Sequence, residues 1–148
     1  MKVAQALLEV ERIFLDSAPV IYFVENHPAY APVLSEIFRR IDSGQLLAVT
    51  SPITLAECLV LPIRQGLTQL EANFQELIVR GNNTLFTAID HSCAWQAAKL
   101  RAQYNITLAD ALQIATAMRV DCDAFLTNDA ALLRVQDVKV LLVENLEL

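Results

Sequence analysis

The sequence has few of the residues that several common kinds of site require. Only three glycines occur among its 148 residues, and they cannot form either of the glycine-rich loops that bind nucleotide phosphates. Two histidines and three widely spaced cysteines, with no C-x-x-C pair, do not match the ligand spacing of a structural zinc site. A G-x-S-x-G nucleophile elbow is also missing. The sequence therefore excludes a nucleotide cofactor bound through such a loop, and it predicts cysteines that are reduced and buried.

Basic residues are also in the minority. The chain contains 11 lysines and arginines against 17 acidic residues, which gives a formal net charge of −6. Because nucleic-acid-binding domains usually present a basic face, this balance argues against an RNA or DNA substrate unless a bound metal changes the local charge. No apolar run approaches the roughly 20 residues of a membrane span, and the first residues do not match a signal peptide. We predict a cytoplasmic protein that does not enter the membrane.

What the sequence does contain is 55% hydrophobic residues, arranged as short apolar runs between longer helical segments. This alternation predicts a single α/β domain, residues 1–148, with a parallel sheet that is covered on both faces. Pro62 is expected to kink its helix or end it early, and residues 1–10 are expected to form a short helical or loose leader. Strands are expected at 12–15, 45–50, 84–89, 124–127 and 138–143, and helices at 20–25, 29–42, 52–65, 66–80, 91–104, 107–120 and, briefly, after 129.

Three acidic residues are tied to the carboxyl ends of the predicted strands, where open α/β sheets form their sites. Asp16 follows the first strand and Asp129 follows the fourth, while the helix that carries Glu57 follows the second. Glu57 is predicted to share its helix face with apolar neighbours such as Ile53 and Val60. A buried glutamate is costly unless it is paired, neutralised or bound to a metal.

A fourth acid lies in the segment TLADALQIATA, which is apolar almost all round and predicts a buried helix that begins at Thr107. Asp110 lies one turn into this helix. Each of the four acids also has a structural explanation. Asp16 and Asp129 could cap the helices that follow them, and Asp110 could complete a capping box with Thr107. Glu57 could simply lie at the solvent edge of its helix.

The predicted topology brings these four carboxylates together, which a set of independent caps would not require. Two like charges about 4 Å apart repel each other by roughly 4 kcal/mol at an effective dielectric constant near 20. Converging carboxylates must therefore take up protons or a cation. Oxygen ligands without histidine or cysteine favour Mg²⁺ or Mn²⁺ over zinc or copper.

Four segments carry a family resemblance, in order and in the expected helix and strand contexts. The chain resembles PIN-domain proteins, and among them the VapC-type toxins of bacterial toxin–antitoxin pairs, from about residue 13 to 143. It departs from the family pattern at Ser17-Ala18, where Thr-Ser or Thr-Asn is commoner, and in the roughly ten extra residues before the first strand. The four segments are LDSAPVIY (15–22), TLAE (54–57), LADALQIATA (108–117) and LTND (126–129).

The resemblance implies an α/β/α sandwich and an endoribonuclease that cleaves single-stranded RNA with Mg²⁺ or Mn²⁺. It also implies a homodimer and a small antitoxin that blocks the cleft. The positions that match the family's acidic quartet are Asp16, Glu57, Asp110 and Asp129, and those that match its supporting hydroxyls are Ser17 and Thr127.

A receiver-like regulatory or scaffold module is the alternative from a different class. It would use Asp90, after the third strand, as a phosphate acceptor, with Lys139 in the last strand as its partner. This alternative leaves Glu57 and Asp110 without a role. The predicted helices at 30–42 and 66–80 are candidates for self-association, because a chain this hydrophobic is expected to hide apolar surface.

Overall fold

A computed structural model describes all residues from 1 to 148. Its centre is a single five-stranded sheet in which every pair of neighbouring strands is parallel. None of the seven α-helices has the length and hydrophobicity needed to cross a bilayer. The strands are β1 Arg12–Leu15, β2 Leu47–Thr50, β3 Thr84–Phe86, β4 Ala124–Thr127 and β5 Lys139–Leu142. The helices are α1 Val3–Ala6, α2 Ser17–Val24, α3 Ala31–Asp42, α4 Pro52–Gln65, α5 Thr68–Arg80, α6 His91–Tyr104 and α7 Leu108–Arg119, with 3-10 turns at Ala130–Arg134 and Val143–Asn145.

The strand order is β3-β2-β1-β4-β5. The chain therefore builds outward from β1 on one side and then crosses back to build outward on the other. The point at which the order reverses lies between β1 and β4, where Leu15 is in register with Leu126. Open parallel sheets bind their ligands outside the carboxyl ends of the strands at this reversal.

Alternate residues of the central strands enter two separate apolar cores. Ile13 and Leu15 pack with one core, together with residues from α1 to α5. Phe14 and Phe125 pack with the other core beneath α6 and α7, where their rings stack with centroids 5.1 Å apart. Because both faces of the sheet are covered, the predicted three-layer α/β/α arrangement is confirmed.

The predicted elements are confirmed, although several of their ends differ from the predicted bounds by a few residues. Helix α2 begins at Ser17 because Asp16 forms its N-cap, so Pro19 falls within the first turn. Strand β3 is shorter than predicted and ends at Phe86. Helix α4 continues beyond Pro62 to Gln65 and ends where Gly66 adopts a left-handed conformation with φ of 68°. Pro62 lies in the last turn of α4 and lacks the N–H that would donate to the Cys58 carbonyl, and the helix ends three residues later.

The leader is not loose. Helix α1 buries Val3 and Ala6 in the first core, and Leu7 and Val10 join them. The Val3 amide also donates a hydrogen bond to the Glu147 carbonyl at 2.8 Å, which ties the leader to the end of the chain. The leader is therefore part of the folded domain.

Two neighbouring leucines test whether the leader contributes to stability. The side chain of Leu7 is 7% exposed, whereas that of Leu8 is 67% exposed. We expect Leu7→Ala to lower the free energy of unfolding by about 2–3 kcal/mol, because it leaves a cavity in the core. Leu8→Ala should change it by less than about 0.5 kcal/mol. Urea unfolding followed by circular dichroism measures both, and equal effects would contradict a docked leader.

Candidate functional site

Asp16 lies at the reversal point, directly after β1, and is 6% exposed. Its Oδ1 accepts hydrogen bonds from the Ser17 amide at 2.9 Å and from Gln113 Nε2 at 3.5 Å. Its Oδ2 accepts a hydrogen bond from Thr127 Oγ1 at 2.8 Å. Every one of these protein partners is a donor. The surroundings of Asp16 therefore suit an ionised carboxylate, which accepts hydrogen bonds and donates none.

Electrostatic effects act on Asp16 in both directions. Burial is the largest effect and raises the pKa of the Asp16 carboxyl. The hydrogen bonds from Thr127, Ser17 and Gln113 lower it, and the negative charge of Asp129 raises it further. An ionised Asp16 is thus hydrogen-bonded but still under strain from burial, and a nearby cation would relieve that strain.

Asp110 does not cap its helix. The cap of α7 is Thr107, whose Oγ1 accepts a hydrogen bond from the Asp110 amide at 3.2 Å. The Asp110 side chain is half-buried. Burial raises the pKa of the Asp110 carboxyl, the Thr107 hydroxyl lowers it, and the charges of Asp16 and Asp129 raise it again. Asp110 therefore faces the other acids from the first turn of α7.

Glu57 is exposed, and the prediction that it shares a buried apolar stripe is wrong. The buried stripe of α4 consists instead of Thr54, Cys58 and Pro62. It is displaced by one residue around the helix from the predicted stripe. Val60, assigned to the same stripe, is also exposed. Partial desolvation raises the pKa of the Glu57 carboxyl, and the charges of Asp16 and Asp110 add to this effect. Glu57 thus lies at the solvent edge of the site rather than in the core.

Asp129 combines a structural and an electrostatic role. Its Oδ1 accepts a hydrogen bond from the Ala131 amide at 3.0 Å and so caps the 3-10 turn after β4. The side chain is exposed. Its charge nevertheless raises the pKa values of both Asp16 and Asp110. The capping explanation for Asp129 is therefore correct, but it does not remove the residue from the cluster.

The two predicted hydroxyls contact different acids. Thr127 Oγ1 donates to Asp16 and accepts a hydrogen bond from the Asp129 amide at 3.2 Å, so it joins the first and last acids. Ser17 contacts Asp16 through its backbone amide. The Ser17 side chain instead acts on Glu57, where it lowers the pKa of the carboxyl.

We define the acidic cluster as Asp16, Glu57, Asp110 and Asp129. None of the four ion pairs in the structure involves any of them, so no lysine or arginine neutralises the cluster. Its oxygen donors suit a hard divalent cation. No group of three or more acidic, histidine or cysteine side chains has the arrangement of a complete metal site, however. The cluster thus fits an ion such as Mg²⁺, which keeps several water ligands and takes only one or two carboxylates directly.

A buried polar network lies beneath the cluster, and its central residue, Gln113, is not among the predicted site residues. Gln113 is fully buried, hydrogen-bonds Asp16, Thr54 and Ser51, and therefore joins α7, α4 and the end of β1. The signal that could have found it is its polarity. Gln113 is the one amide within the apolar run that follows Asp110.

Comparison with known families identifies the fold. The family model described as PIN domain matches residues 13–138. The chain belongs to the PIN domain family. Direct comparison with curated protein sequences finds no significant match.

Solved structures share this PIN fold at low sequence identity. A chain of the FitAB complex bound to an IR36 DNA fragment has a TM-score of 0.71 at 22% identity, covering 92% of this chain and 98% of that one. VapBC2 from Rickettsia felis, bound to promoter DNA, gives 0.70 at 14% identity, with 88% and 97% covered. VapC20 from Mycobacterium tuberculosis, described as a sarcin-ricin loop cleaving toxin, gives 0.67 at 13% identity, with 86% and 98% covered.

The receiver-like alternative does not fit this PIN domain. Asp90 follows β3 and caps α6, where its Oδ1 accepts a hydrogen bond from the Cys93 amide at 3.0 Å. Lys139 begins β5 at the opposite edge of the sheet, and its Nζ donates to the Ala6 carbonyl at 2.8 Å. The two residues therefore do not face each other.

Asp110→Asn tests whether the acidic cluster is under electrostatic strain. Since the pKa of Asp110 is raised in the folded protein, its charge lowers the free energy of unfolding at pH 7. We expect the variant, in EDTA, to be as stable as the parent or more stable at pH 7. This difference should shrink as the pH falls through the raised pKa of the folded protein and vanish below 3.8, where the parent carboxyl is neutral in both states. Thermal unfolding at several pH values measures it.

Asp90→Asn is the matched control. The pKa of Asp90 is held low, first by the Cys93 amide and then by Ser92, with a smaller contribution from Arg119. Loss of this charge should therefore lower stability at pH 7. If Asp110→Asn also lowered stability, a structural role for Asp110 would be the better explanation.

Proposed function

We propose that this PIN domain is a Mg²⁺- or Mn²⁺-dependent endoribonuclease that cleaves single-stranded RNA, and that it is the toxin of a type II toxin–antitoxin pair. The observation that carries the proposal is the acidic cluster. At the reversal point of the sheet, the charges of neighbouring acids in the cluster raise the pKa values of Asp16, Glu57 and Asp110, and no basic side chain neutralises the cluster. A structural role would not require the acids to be brought together in this way.

The four acids would hold the ion, partly through water. A divalent cation at this position lowers the pKa of a bound water and stabilises charge on a phosphodiester. Asp16 supplies a carboxylate that is fixed on both oxygens by Ser17 and Thr127. Glu57 and Asp129 are exposed, and Asp129 has one oxygen held by the Ala131 amide and the other turned to its surroundings. No histidine is required as a general base in this scheme.

The exposure of the cluster suits a polymeric substrate that lies across the edge of the sheet. The negative net charge would repel RNA, so the bound cation is also what makes the edge attractive to phosphate.

Chelation provides the direct test of the proposed activity. We expect the purified protein to cleave a single-stranded RNA in Mg²⁺ or Mn²⁺, leaving 5′-phosphate ends. Excess EDTA or the Asp16→Asn substitution should lower the rate at least about 100-fold. A metal supplies several kcal/mol of transition-state stabilisation, and each 1.4 kcal/mol corresponds to about tenfold in rate. Gel analysis of end-labelled RNA measures the rate.

Glu76→Gln is a suitable control, because Glu76 is an exposed acid on α5 that pairs with Arg80 away from the cluster. It should cleave at the parent rate. Cleavage by the parent protein that persisted in EDTA would refute the metal-dependent mechanism.

The proposed partners are a cognate antitoxin and a second copy of the chain, in the cytoplasm. Fold neighbours in the VapBC2 and FitAB complexes, and in a toxin–antitoxin complex from Klebsiella pneumoniae, support the antitoxin. For the second copy, α3 is a poor candidate, because its apolar residues are buried in its own core. A better candidate is the α4 apolar patch, which consists of exposed apolar side chains in the last turns of α4 and just after its end. These side chains are Val60, Leu61, Ile63 and Leu67.

Substitution within the α4 apolar patch tests the homodimer. We expect the parent to be dimeric at micromolar concentration and Ile63→Lys to be monomeric, because the added charge would be buried in the interface. Ile63 is 57% exposed in the single chain, so the substitution should leave the fold intact. Leu8→Lys introduces the same charge at another exposed site and should remain dimeric. Size-exclusion chromatography with light scattering distinguishes these outcomes, and a dimeric Ile63→Lys would place the interface elsewhere.

A further inference from the structure

Gln113 lies at the centre of a buried network that no part of the proposed mechanism yet uses. Its Nε2 donates hydrogen bonds to Thr54 Oγ1 at 2.8 Å and to Asp16 Oδ1 at 3.5 Å. Its Oε1 accepts a hydrogen bond from the Ser51 hydroxyl. Gln113, Thr54 and Ser51 are all fully buried, so water does not compete for these contacts.

The orientation of the Gln113 amide is dictated by its neighbours. Thr54 Oγ1 donates its own hydrogen to the Leu15 carbonyl at 3.1 Å and can therefore offer Gln113 only a lone pair. Ser51 Oγ accepts hydrogen bonds from the Ile53 and Thr54 amides, so its hydrogen is available for Gln113 Oε1. Rotation of the amide by half a turn would place its oxygen against the Thr54 lone pairs and the Asp16 carboxylate. An N–H group is thus held toward Asp16.

The same network joins the two helices that carry Glu57 and Asp110. Thr54 lies three residues before Glu57 on α4, and Gln113 lies three residues after Asp110 on α7. Residues three apart share a helix face. The hydrogen bond between Thr54 and Gln113 is therefore about one helical turn from the two carboxylates, and it sets how closely their helices approach.

We propose that Gln113 is a positioning residue for the acidic cluster: it orients the Asp16 carboxylate and fixes the spacing of Glu57 and Asp110, and thereby sets the affinity for the divalent cation. This inference rests on the proposed function. Outer-shell partners of metal ligands typically change metal affinity or activity by about 10- to 100-fold when they are substituted. Gln113 acts through Asp16 and the two helices rather than by contact with substrate.

The test is the affinity of the purified protein for Mn²⁺, measured by calorimetry without RNA. Gln113→Met keeps the length of the side chain and removes both ends of the amide, and we expect it to weaken Mn²⁺ binding at least about tenfold. Thr116→Val is the matched control. Thr116 is equally buried on the same helix, but its hydroxyl donates only to the Leu112 carbonyl within α7, at 2.7 Å. Thr116→Val should bind Mn²⁺ within about twofold of the parent.

Thr54→Val provides a second variant of nearly unchanged shape, which removes the acceptor for Gln113 Nε2 and should weaken Mn²⁺ binding at least about threefold. The melting temperatures of all variants are measured as well, so that a loss of Mn²⁺ affinity caused by misplaced ligands is distinguished from one caused by general destabilisation of the fold. Equal affinity of the parent and Gln113→Met would overturn the role of Gln113 and leave the proposed nuclease intact. The role of Gln113 would also be overturned if Thr116→Val lost Mn²⁺ affinity too, and if the loss in each variant followed the fall in its melting temperature. A parent protein that neither bound Mn²⁺ nor cleaved RNA would overturn the proposed function itself.

Discussion

The carboxyl edge of this domain depends on the burial of one carboxylate. Asp16 is placed at the end of the central strand by the strand order, and there it loses most of its contact with water. Hydrogen bonds from Thr127, Ser17 and Gln113 reduce the cost of its charge, but none of them neutralises it. The remaining cost makes Asp16 responsive to charge in its surroundings. The neighbouring acids increase that cost, and a cation would lower it.

The two helical layers meet over this carboxylate. Helix α4 packs with the first core and α7 with the second, so the polar network of Thr54 and Gln113 passes from one layer to the other beyond the end of β1. Apolar packing alone would leave the relative position of these helices adjustable, since it has no direction. Directed hydrogen bonds between buried groups remove this freedom. The site is therefore held by polar contacts, whereas the domain is held by its cores.

The parts that could be predicted from the sequence are those that depend on local pattern. Apolar runs marked the strands, and Asp90 and Thr107 marked the starts of their helices. The reversal of strand order then brought Asp16 and Asp129 to one edge. The sequence left two positions open for Glu57, in the apolar stripe or at the solvent edge, because α4 has apolar residues on several faces and tertiary packing decides which face is buried. Gln113 was missed because its partners lie about 60 and 97 residues away along the chain.

The four acids differ in how firmly they are held, and this difference bears on ion selectivity. Asp16 has both oxygens hydrogen-bonded in the interior, whereas Asp129 is exposed with one oxygen hydrogen-bonded to the Ala131 amide, and Glu57 is exposed. A rigid cage selects an ion by its radius, but a site with one fixed ligand and adjustable neighbours can close around ions of different size. A divalent cation held here as proposed would therefore be selected only weakly by size, so Mg²⁺ and Mn²⁺ would compete for the site according to the supply of each metal.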